Sequence, residues 1–247
     1  MPELSPLSPT GATVVIPALD EEQRIAATVT AARRLPHVDL VVVVDDGSTD
    51  ATSARAAAAG AEVVRADRNQ GKGAAMMLGA ATVASHEQAR GVTPRPMLFL
   101  DADLQDTAAA AAPLLVPVLD GTADMTIATL PPDDGPAAGH GFVVRLARDG
   151  IEQATGRVMS RPLSGQRALS RAAFDAALPL ADGWGVEVGL TIDLLRQGFS
   201  VLEVEVDVRH RVTGTDWRAQ VHRGRQYLGV WRALRRRGVG PAVPVPR

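Results

Sequence analysis

Short apolar segments that alternate with helix-forming segments constrain the fold of this chain more than any other feature of its sequence. Five such segments predict buried strands, over residues 13–17, 40–44, 61–65, 97–100 and 124–128. The intervening segments predict helices, the first three over about residues 20–35, 50–59 and 71–86. Strands separated by helices indicate βαβ units, so we predict an α/β fold whose mostly parallel sheet carries helices on both faces.

Two residues are expected to mark helix ends. Asp20 is predicted to cap the start of the first helix, since an aspartate side chain can accept hydrogen bonds from the free N–H groups there. Gly60 is predicted to close the second helix as its C-terminal glycine.

The chain after residue 140 has a different pattern. It predicts helices over about residues 142–155, 171–177 and 183–197, an irregular segment over 156–166 and a strand over 199–208. A last helix, over about 215–237, has an apolar stripe that is either core or the interface of a homodimer; the stripe comprises Trp217, Val221, Gly224, Leu228, Trp231 and Leu234. Because no linker or repeat interrupts the chain, we predict one domain over residues 1–247.

Composition excludes several classes of protein. With no cysteine there is no disulfide framework, cysteine-bound metal or thiol nucleophile. A net charge of −2 argues against nucleic acid as a partner. There is neither an apolar stretch of membrane-spanning length nor a signal-peptide pattern in the first ten residues. We therefore expect a soluble cytoplasmic protein.

Polar residues cluster where three of the predicted strands end, at residues 17–22, 45–50 and 101–103. In a parallel α/β sheet, ligands bind outside the carboxyl ends of the strands, so we expect these clusters to form one site. Asp101 and Asp103 lie two residues apart and can present both carboxylates on one side. Such oxygen ligands suit Mg²⁺ or Mn²⁺ together with a phosphate; a solvated turn is the alternative interpretation.

Lys72 is the only lysine among the 26 basic residues, the others all being Arg. It lies in residues 68–73 at a predicted helix start, where backbone N–H groups and a cation favour an anionic ligand. The segment lacks the first glycine and the final Ser or Thr of a P-loop. Because an ammonium and a guanidinium are not interchangeable, we predict a ligand-binding role for Lys72 rather than that of a surface charge.

Four segments of the first half together resemble the GT-A-fold glycosyltransferases of the large nucleotide-diphosphate-sugar superfamily. They are residues 15–22, 44–50, 69–73 and 101–103. The resemblance implies a Rossmann-like, mostly parallel sheet and a nucleotide-diphosphate-sugar donor, UDP- or GDP-hexose. It assigns nucleotide-sugar binding to residues 11–130, and binding of a small-molecule acceptor to residues 131–247.

The same resemblance implies roles for individual residues. Asp103 would anchor a Mg²⁺ or Mn²⁺ ion beneath the diphosphate, Asp46 would hold the base or ribose, and Lys72 would lie near the base and phosphates. The other residues implied for nucleotide binding are Pro17, Ala18, Glu21, Asp101 and Ala102.

Segments of the second half, residues 155–158, 163–167, 183–190 and 208–211, are similar to the glucosyl-3-phosphoglycerate synthase family. The similarity implies that Gly156, Arg157 and Arg167 bind the acceptor. It also implies that Trp184 and Glu187 contact the donor sugar and that His210 is a metal ligand. Two residues depart from the family. Trp184 stands where a Tyr is expected, and Met159 stands where a phosphate-binding Thr is expected. The acceptor therefore stays open between phosphorylated and carboxylated molecules.

The predicted reaction is metal-dependent transfer of a hexose from the nucleotide-diphosphate sugar to that acceptor. The metal at Asp103 and His210 would neutralise the charge that builds on the departing diphosphate. Glu187 would be the general base of an inverting reaction, or would only orient the sugar in a retaining one.

Three other functions are compatible with the sequence. The acceptor could be a polyprenyl phosphate, as in relatives of dolichol-phosphate mannosyltransferase, with the Arg-rich last helix in peripheral contact with anionic lipid. A sugar nucleotidyltransferase would share the layered sheet, but its Gly-rich first loop is missing here. A non-enzymatic sugar-nucleotide sensor would bind the donor without consuming it.

Overall fold

The computed structural model describes residues 11–129, 141–209 and 217–240 of the chain. The strands of this part are β1 Ala12–Ala18, β2 Val38–Asp45, β3 Glu62–Arg65, β4 Met97–Phe99, β5 Met125–Thr129, β6 Arg167–Leu169 and β7 Val201–Glu205. The α-helices are α1 Ile25–Ala32, α2 Thr52–Ala58, α3 Lys72–Arg90, α4 Ala112–Leu119, α5 Phe142–Thr155, α6 Arg171–Ala176, α7 Val186–Arg196 and α8 Trp217–Arg236. Two 3₁₀ helices, Gln105–Ala111 and Gly183–Gly185, precede α4 and α7.

The strands form one sheet in the order β3-β2-β1-β4-β6-β5-β7. The pairs β1–β2, β1–β4, β2–β3 and β5–β7 are parallel, whereas β6 runs antiparallel to both of its neighbours. The predicted α/β fold with a mostly parallel sheet is therefore confirmed. The carboxyl ends of β1, β2 and β4 meet at one edge, where the three polar clusters begin.

Strand β6 was not predicted. It comprises three residues and begins with Arg167, so neither its length nor its residues signal a strand. All three residues are buried, and Arg167 pairs with Phe99 of β4 on one side and Ile127 of β5 on the other. This insertion brings a segment from the second half of the chain against the end of β4.

The sheet is covered by apolar helix surfaces on both faces, as expected. Along β1 the side chains alternate, with Val15 in the cluster that includes residues of α3, α5, α7 and α8, and Ile16 in the cluster that includes residues of α1, α2 and α4. A buried parallel strand contributes to both cores in this way.

The predicted closure of α2 by Gly60 is confirmed, whereas the expected N-cap is wrong. Gly60 follows α2 at φ +91°, a backbone conformation that favours glycine. Gly156, for which no closure was predicted, ends α5 in the same way at φ +72°. The first helix begins only at Ile25, with no side-chain cap. Asp20 has φ +53°, and its Oδ1 accepts a hydrogen bond from the N–H of Thr49 at 2.8 Å. The loop after β2 therefore uses the carboxylate that was expected at the helix start.

The predicted stripe on the last helix is divided between core and surface. Leu234 is buried in the core with residues of α5 and α7, whereas Leu228 and Trp231 are exposed. The side chains of Trp217 and Val221 lie outside the described part. No helix in the described part of the chain is long and apolar enough to cross a membrane.

Helix α3 packs unusually close to the sheet because of Gly79. A Cβ at this position would clash with Val15 Cγ1 and lie 3.0 Å from Val44 Cγ2. This close packing fixes the height of α3 above β1 and β2, and hence the position of Lys72 at the first residue of the helix.

We expect Gly79→Ala to lower the free energy of unfolding by about 1–3 kcal/mol, because overpacking exceeds the roughly 1 kcal/mol that alanine gains over glycine in a helix. Urea denaturation measures the change. Gly224→Ala on α8 is the matched control, because a Cβ there would meet no atom of the described part of the chain within 4 Å. A stability of Gly79→Ala equal to or above that of the unmodified chain would contradict the prediction.

Candidate functional site

The loops after β1 and β2 are joined by reciprocal hydrogen bonds. The N–H of Asp20 donates to Ser48 Oγ at 3.0 Å, and the N–H of Glu21 donates to Thr52 Oγ1 at 2.8 Å. In return, Thr49 donates its N–H to Asp20. The structure thus brings the first two polar clusters together. Pro17 and Ala18, at the end of β1, lie next to them.

Asp45 and Asp46 hold the neighbouring loops in place. Asp46 is only 5% exposed, and its two carboxylate oxygens accept the N–H groups of Gln70 and Gly71, each at 2.8 Å. It therefore fixes the segment that leads into α3. The fully buried Asp45 accepts hydrogen bonds from the N–H of Ser48 at 2.7 Å and from the hydroxyl of Ser53.

Burial by itself would raise the pKa of Asp45. The hydrogen bonds from Ser48 and Ser53, together with the charge of Arg65, outweigh that effect and leave the pKa below its ordinary value. Arg65 reaches the same carboxylate at 3.0 Å. The exit of β2 is therefore held by an ionised carboxylate.

Lys72 lies between two carboxylates that come from distant parts of the chain. Its Nζ is 2.6 Å from Asp101 Oδ1 and 2.9 Å from Glu187 Oε1. The side chains of Lys72 and Glu187 are 21% and 8% exposed. Burial alone would lower the pKa of Lys72, but the two negative charges raise it above its ordinary value. Lys72 is therefore a permanently charged ammonium that links β4 to α7.

Gly165 and Gln166, just before β6, complete this group. The amide of Gln166 donates to Asp101 Oδ2 at 2.7 Å, and its side chain is buried. A Cβ on Gly165 would lie 2.5 Å from both Asp101 Oδ2 and Lys72 Nζ. Both residues lie in a segment, 163–167, that resembles the family, but no local signal gives either a role, since their contacts depend on the unpredicted strand β6.

Arg167 lies in the protein interior rather than at an open acceptor surface. It is 1% exposed and donates hydrogen bonds to four oxygens, and burial lowers its pKa to about 10. The accepting atoms are Ser164 O at 2.8 Å, Pro162 O at 3.0 Å, Glu187 O at 2.9 Å and Thr191 Oγ1 at 2.8 Å. This geometry favours a role in holding residues 162–164 against α7, and an acceptor contact for Arg167 stays a prediction.

The predicted metal ligands are only partly described. Asp103 follows β4 and is partly exposed. The pKa of Arg24 is raised, chiefly by the hydrogen bond from its side chain to Glu21, and the negative charge of Asp103 adds to this effect. His210 lies outside the described residues. Within the described ranges, no group of three or more Asp, Glu or His side chains is arranged to hold a metal ion.

Trp184 lies in the 3₁₀ turn before α7 and is 39% exposed. Its backbone packs against α8, since a Cβ on Gly229 would lie 3.3 Å from both Cα and C of Trp184. A groove of about 310 Å³ borders this turn and is lined in part by Trp184, Leu228 and Arg232. The turn is also close to the start of α3, because a Cβ on Gly71 would lie 3.6 Å from Gly183 Cα.

The segment that follows α5 is exposed around Gly156 and Arg157. The described side-chain contact of Arg157 is to the carbonyl of Val201, at 3.4 Å. Met159, at the position of the expected threonine, is 2% exposed and belongs to the core. The next turn is held by Glu203, whose carboxylate accepts the N–H groups of residues 160 and 161. None of the contacts described for Arg157 joins it to the group around Lys72.

Residues 13–161, more than half of the chain, match the family model described as glycosyl transferase family 2. The chain belongs to this family, and a mostly parallel sheet with polar loops at its carboxyl edge is what its sequence encodes.

Among curated proteins, the chain is similar to glucosyl-3-phosphoglycerate synthase of Mycobacterium tuberculosis. The two are 33% identical over 230 residues, which is 80% of this chain and 66% of the relative. The chain thus spans about two thirds of the length of that relative.

Solved structures of the enzyme of that name from M. tuberculosis are also similar. One contains phosphoglyceric acid and has a TM-score of 0.74 at 29% identity, covering 94% of this chain and 82% of the other. Another contains Mn²⁺, UDP and phosphoglyceric acid and has a TM-score of 0.74 at 28% identity, covering 94% and 80%. The predicted family and fold are confirmed.

We expect Asp45→Asn to lower the free energy of unfolding by about 1–2 kcal/mol at pH 7, because hydrogen bonds to a charged group are lost. The folded pKa of Asp45 is depressed, so this stabilisation is present above the unfolded pKa of about 3.9 and is lost as the pH falls through the folded value. Urea denaturation between pH 3 and 7 tests this.

The matched control is Asp39→Asn. The side chain of Asp39 is about half exposed in its ion pair with Arg95, so its charge should contribute little to the free energy of unfolding. A difference between Asp45→Asn and the unmodified chain that does not shrink below pH 4 would contradict the electrostatic interpretation.

Proposed function

We propose that this chain transfers glucose from UDP-glucose to a small hydroxy acid that carries phosphate or carboxylate, with Mg²⁺ or Mn²⁺ as cofactor. The observation that carries the proposal is the group formed by Lys72, Asp101 and Glu187 at the carboxyl edge of a family 2 sheet. It places one fixed ammonium beside the Asp-Ala-Asp motif, where the phosphates of a nucleotide sugar need a cation.

The donor nucleotide would bind against the ends of β1 and β2. Pro17, Ala18 and Glu21 lie there, and we assign the base and ribose to this wall. Asp46 contributes by holding Gln70 and Gly71, which shapes the opposite side of the pocket. The hydrogen bonds between the two loops make this pocket preformed, which reduces the entropy lost on binding.

We assign the metal to Asp103, with Ala102 between it and Asp101. The oxygen chemistry fits, since carboxylates are suitable ligands for Mg²⁺ and Mn²⁺. Both oxygens of Asp101 accept hydrogen bonds, from Lys72 and Gln166, so Asp101 is better suited to holding the ammonium. His210, outside the described residues, is proposed as a further ligand. When bound, the ion would stabilise negative charge on the diphosphate.

Lys72 would stabilise the same charge from the protein side. As the bond between the sugar and the diphosphate breaks, negative charge increases on the phosphate oxygens, and a preorganised cation lowers the energy of that state. Glu187 is paired with Lys72 and nearly buried, which supports a role in accepting hydrogen bonds from the donor sugar. A carboxylate held in this way is poorly placed to collect a proton from an acceptor, and this favours the retaining course.

The acceptor would bind near Trp184 and the exposed segment at Gly156 and Arg157. The guanidinium of Arg157 can grip phosphate or carboxylate with two parallel hydrogen bonds. Because Met159 is buried, the segment does not offer a hydroxyl at that position. We therefore propose an acceptor whose anionic group is bound mainly by Arg157.

The proposal includes two further partners. Exposed Leu228 and Trp231 on α8 suit a second copy of the chain, and Arg232 and Arg235 beside them suit an anionic membrane surface in the cytoplasm. Light scattering of the purified protein and flotation with vesicles that contain anionic lipid would test these two contacts.

The direct test is calorimetric titration of UDP-, GDP- and ADP-hexoses with and without Mn²⁺, followed by an acceptor screen. The expected result is Mn²⁺-dependent binding of UDP-glucose, with transfer to 3-phosphoglycerate or a related hydroxy acid. Transfer only to polyprenyl phosphate would overturn the proposed acceptor. Absence of nucleotide-sugar binding, or release of pyrophosphate from nucleoside triphosphates, would overturn the proposed class.

We expect Lys72→Arg to weaken UDP-glucose binding and lower kcat/KM by about tenfold or more, since a planar guanidinium cannot replace the ammonium beneath Gly165. Titration with UDP-glucose and initial-rate kinetics measure the effect. Arg90→Lys is the control for the reverse exchange, because Arg90 is the exposed last residue of α3. It should leave the donor affinity and kcat/KM unchanged. Equal donor affinity for Lys72→Arg and the unmodified chain would remove Lys72 from the proposed site.

We expect Arg157→Ala to raise the KM of the acceptor by about tenfold or more, since a charged hydrogen-bonded pair contributes about 1.5–3 kcal/mol. The KM of the donor should change less than twofold. Arg148→Ala is the comparison, because that side chain binds the carbonyls of residues 159 and 160 of the same segment. Similar increases in both KM values for Arg157→Ala would contradict its assignment to the acceptor.

A further inference from the structure

A buried hydroxyl on α1 contacts the turn that carries the Asp-Ala-Asp motif. Thr28 is fully buried, and its Oγ1 donates to the carbonyl of Ala102 at 2.8 Å. The same oxygen accepts the N–H of Gln105, also at 2.8 Å. A threonine hydroxyl has one donor and two acceptor positions, so it can make both bonds at once. These bonds enclose residues 102–105, and Asp103 is in that turn.

The orientation of this hydroxyl differs from that of a neighbouring threonine. Thr30, exposed on the same helix, donates to Ala26 O four residues earlier at 2.8 Å, as threonines in helices often do. For Thr28 the equivalent oxygen, Arg24 O, is farther away, at 3.3 Å. The shorter contact is across to the loop, so the hydroxyl of Thr28 serves the turn more than its own helix.

The turn needs such support because of its backbone conformation. Gln105 has φ +52°, in the left-handed region that a residue with a side chain rarely adopts. Without the hydroxyl, the N–H of Gln105 and the carbonyl of the buried Ala102 would both lose these hydrogen bonds, and a buried carbonyl without a partner is costly. The hydroxyl of Thr28 therefore stabilises the left-handed conformation at Gln105 and gives the buried carbonyl of Ala102 a partner.

We propose that Thr28 is a positioning residue for Asp103. It acts through the 102–105 turn, without touching a substrate, by holding the backbone from which the Asp103 carboxylate extends. This inference rests on the proposed function, in which Asp103 holds the metal. Partners that orient metal ligands commonly change metal affinity by 10–100-fold.

The test compares Thr28→Val, which removes the hydroxyl at nearly constant shape, with Thr28→Ser, which retains it. The readouts are the Kd of UDP with and without Mn²⁺ and the rate of amide hydrogen exchange over residues 102–107. For Thr28→Val we expect at least a tenfold weaker Mn²⁺-dependent binding, little change without Mn²⁺, and faster exchange. Thr28→Ser should remain within about threefold of the unmodified chain, and Thr30→Val is the matched control and should have no effect.

A second substitution tests the route through the turn. Gln105→Gly keeps the N–H but removes the strain of the left-handed conformation, so it should restore part of the binding lost in Thr28→Val. If Thr28→Val does not fold, Thr28→Ala removes the same hydroxyl without adding a methyl group near Ala102. Failure of both to fold would overturn the proposal, because the hydroxyl would then act on global stability.

The outcomes also separate this inference from the proposed function. If the unmodified chain shows no Mn²⁺-dependent binding of UDP, the proposed function fails. If the unmodified chain binds UDP with Mn²⁺ and folded Thr28→Val binds it equally well, only the role of Thr28 is overturned. Equal loss with and without Mn²⁺ would likewise overturn it, since the effect would then not act on Asp103.

Discussion

The organisation of the site depends on one ammonium group held between two carboxylates. Lys72 joins the start of α3 to the end of β4 through Asp101 and to the first turn of α7 through Glu187. These elements come from both halves of the chain, so the ion pairs set the distance between them. A cation with its charge balanced in this way can remain partly buried, where electrostatic interactions are stronger than in water.

Close backbone packing makes room for this group. Gly79 lets α3 approach the sheet, and Gly165 lets the segment before β6 pass directly over the ammonium and Asp101. Neither glycine has a positive φ, so glycine is required at these two positions because a side chain would not fit, and not because of the backbone conformation. The short antiparallel strand β6 then fixes Gly165 and Gln166 at that height. The geometry of the site thus depends on how closely α3, the sheet and the segment before β6 pack against one another.

Much of the fold and part of the site could be predicted from local patterns. The strands and helices of the first half follow from apolar segments and turn residues, and the parallel sheet follows from their alternation. The prediction failed where local signals are weak or compete. Three residues beginning with Arg167 do not signal a strand, and Asp20 binds the neighbouring loop instead of the helix. The partners of Asp101 could not be predicted, since Gln166 reaches it through that strand.

The sequence by itself determined the α/β class, the edge of the sheet at which the polar clusters lie, and the residue types available there. The class depends on short-range periodicity, and the position of the clusters follows because the carboxyl ends of parallel strands lie at the same edge. Only the tertiary structure decided which of those residues meet. It paired Lys72 with Glu187, buried Arg167 among backbone carbonyls, and turned the hydroxyl of Thr28 towards the Asp-Ala-Asp turn. Such contacts join residues up to 115 positions apart and depend on packing distances that no local pattern encodes.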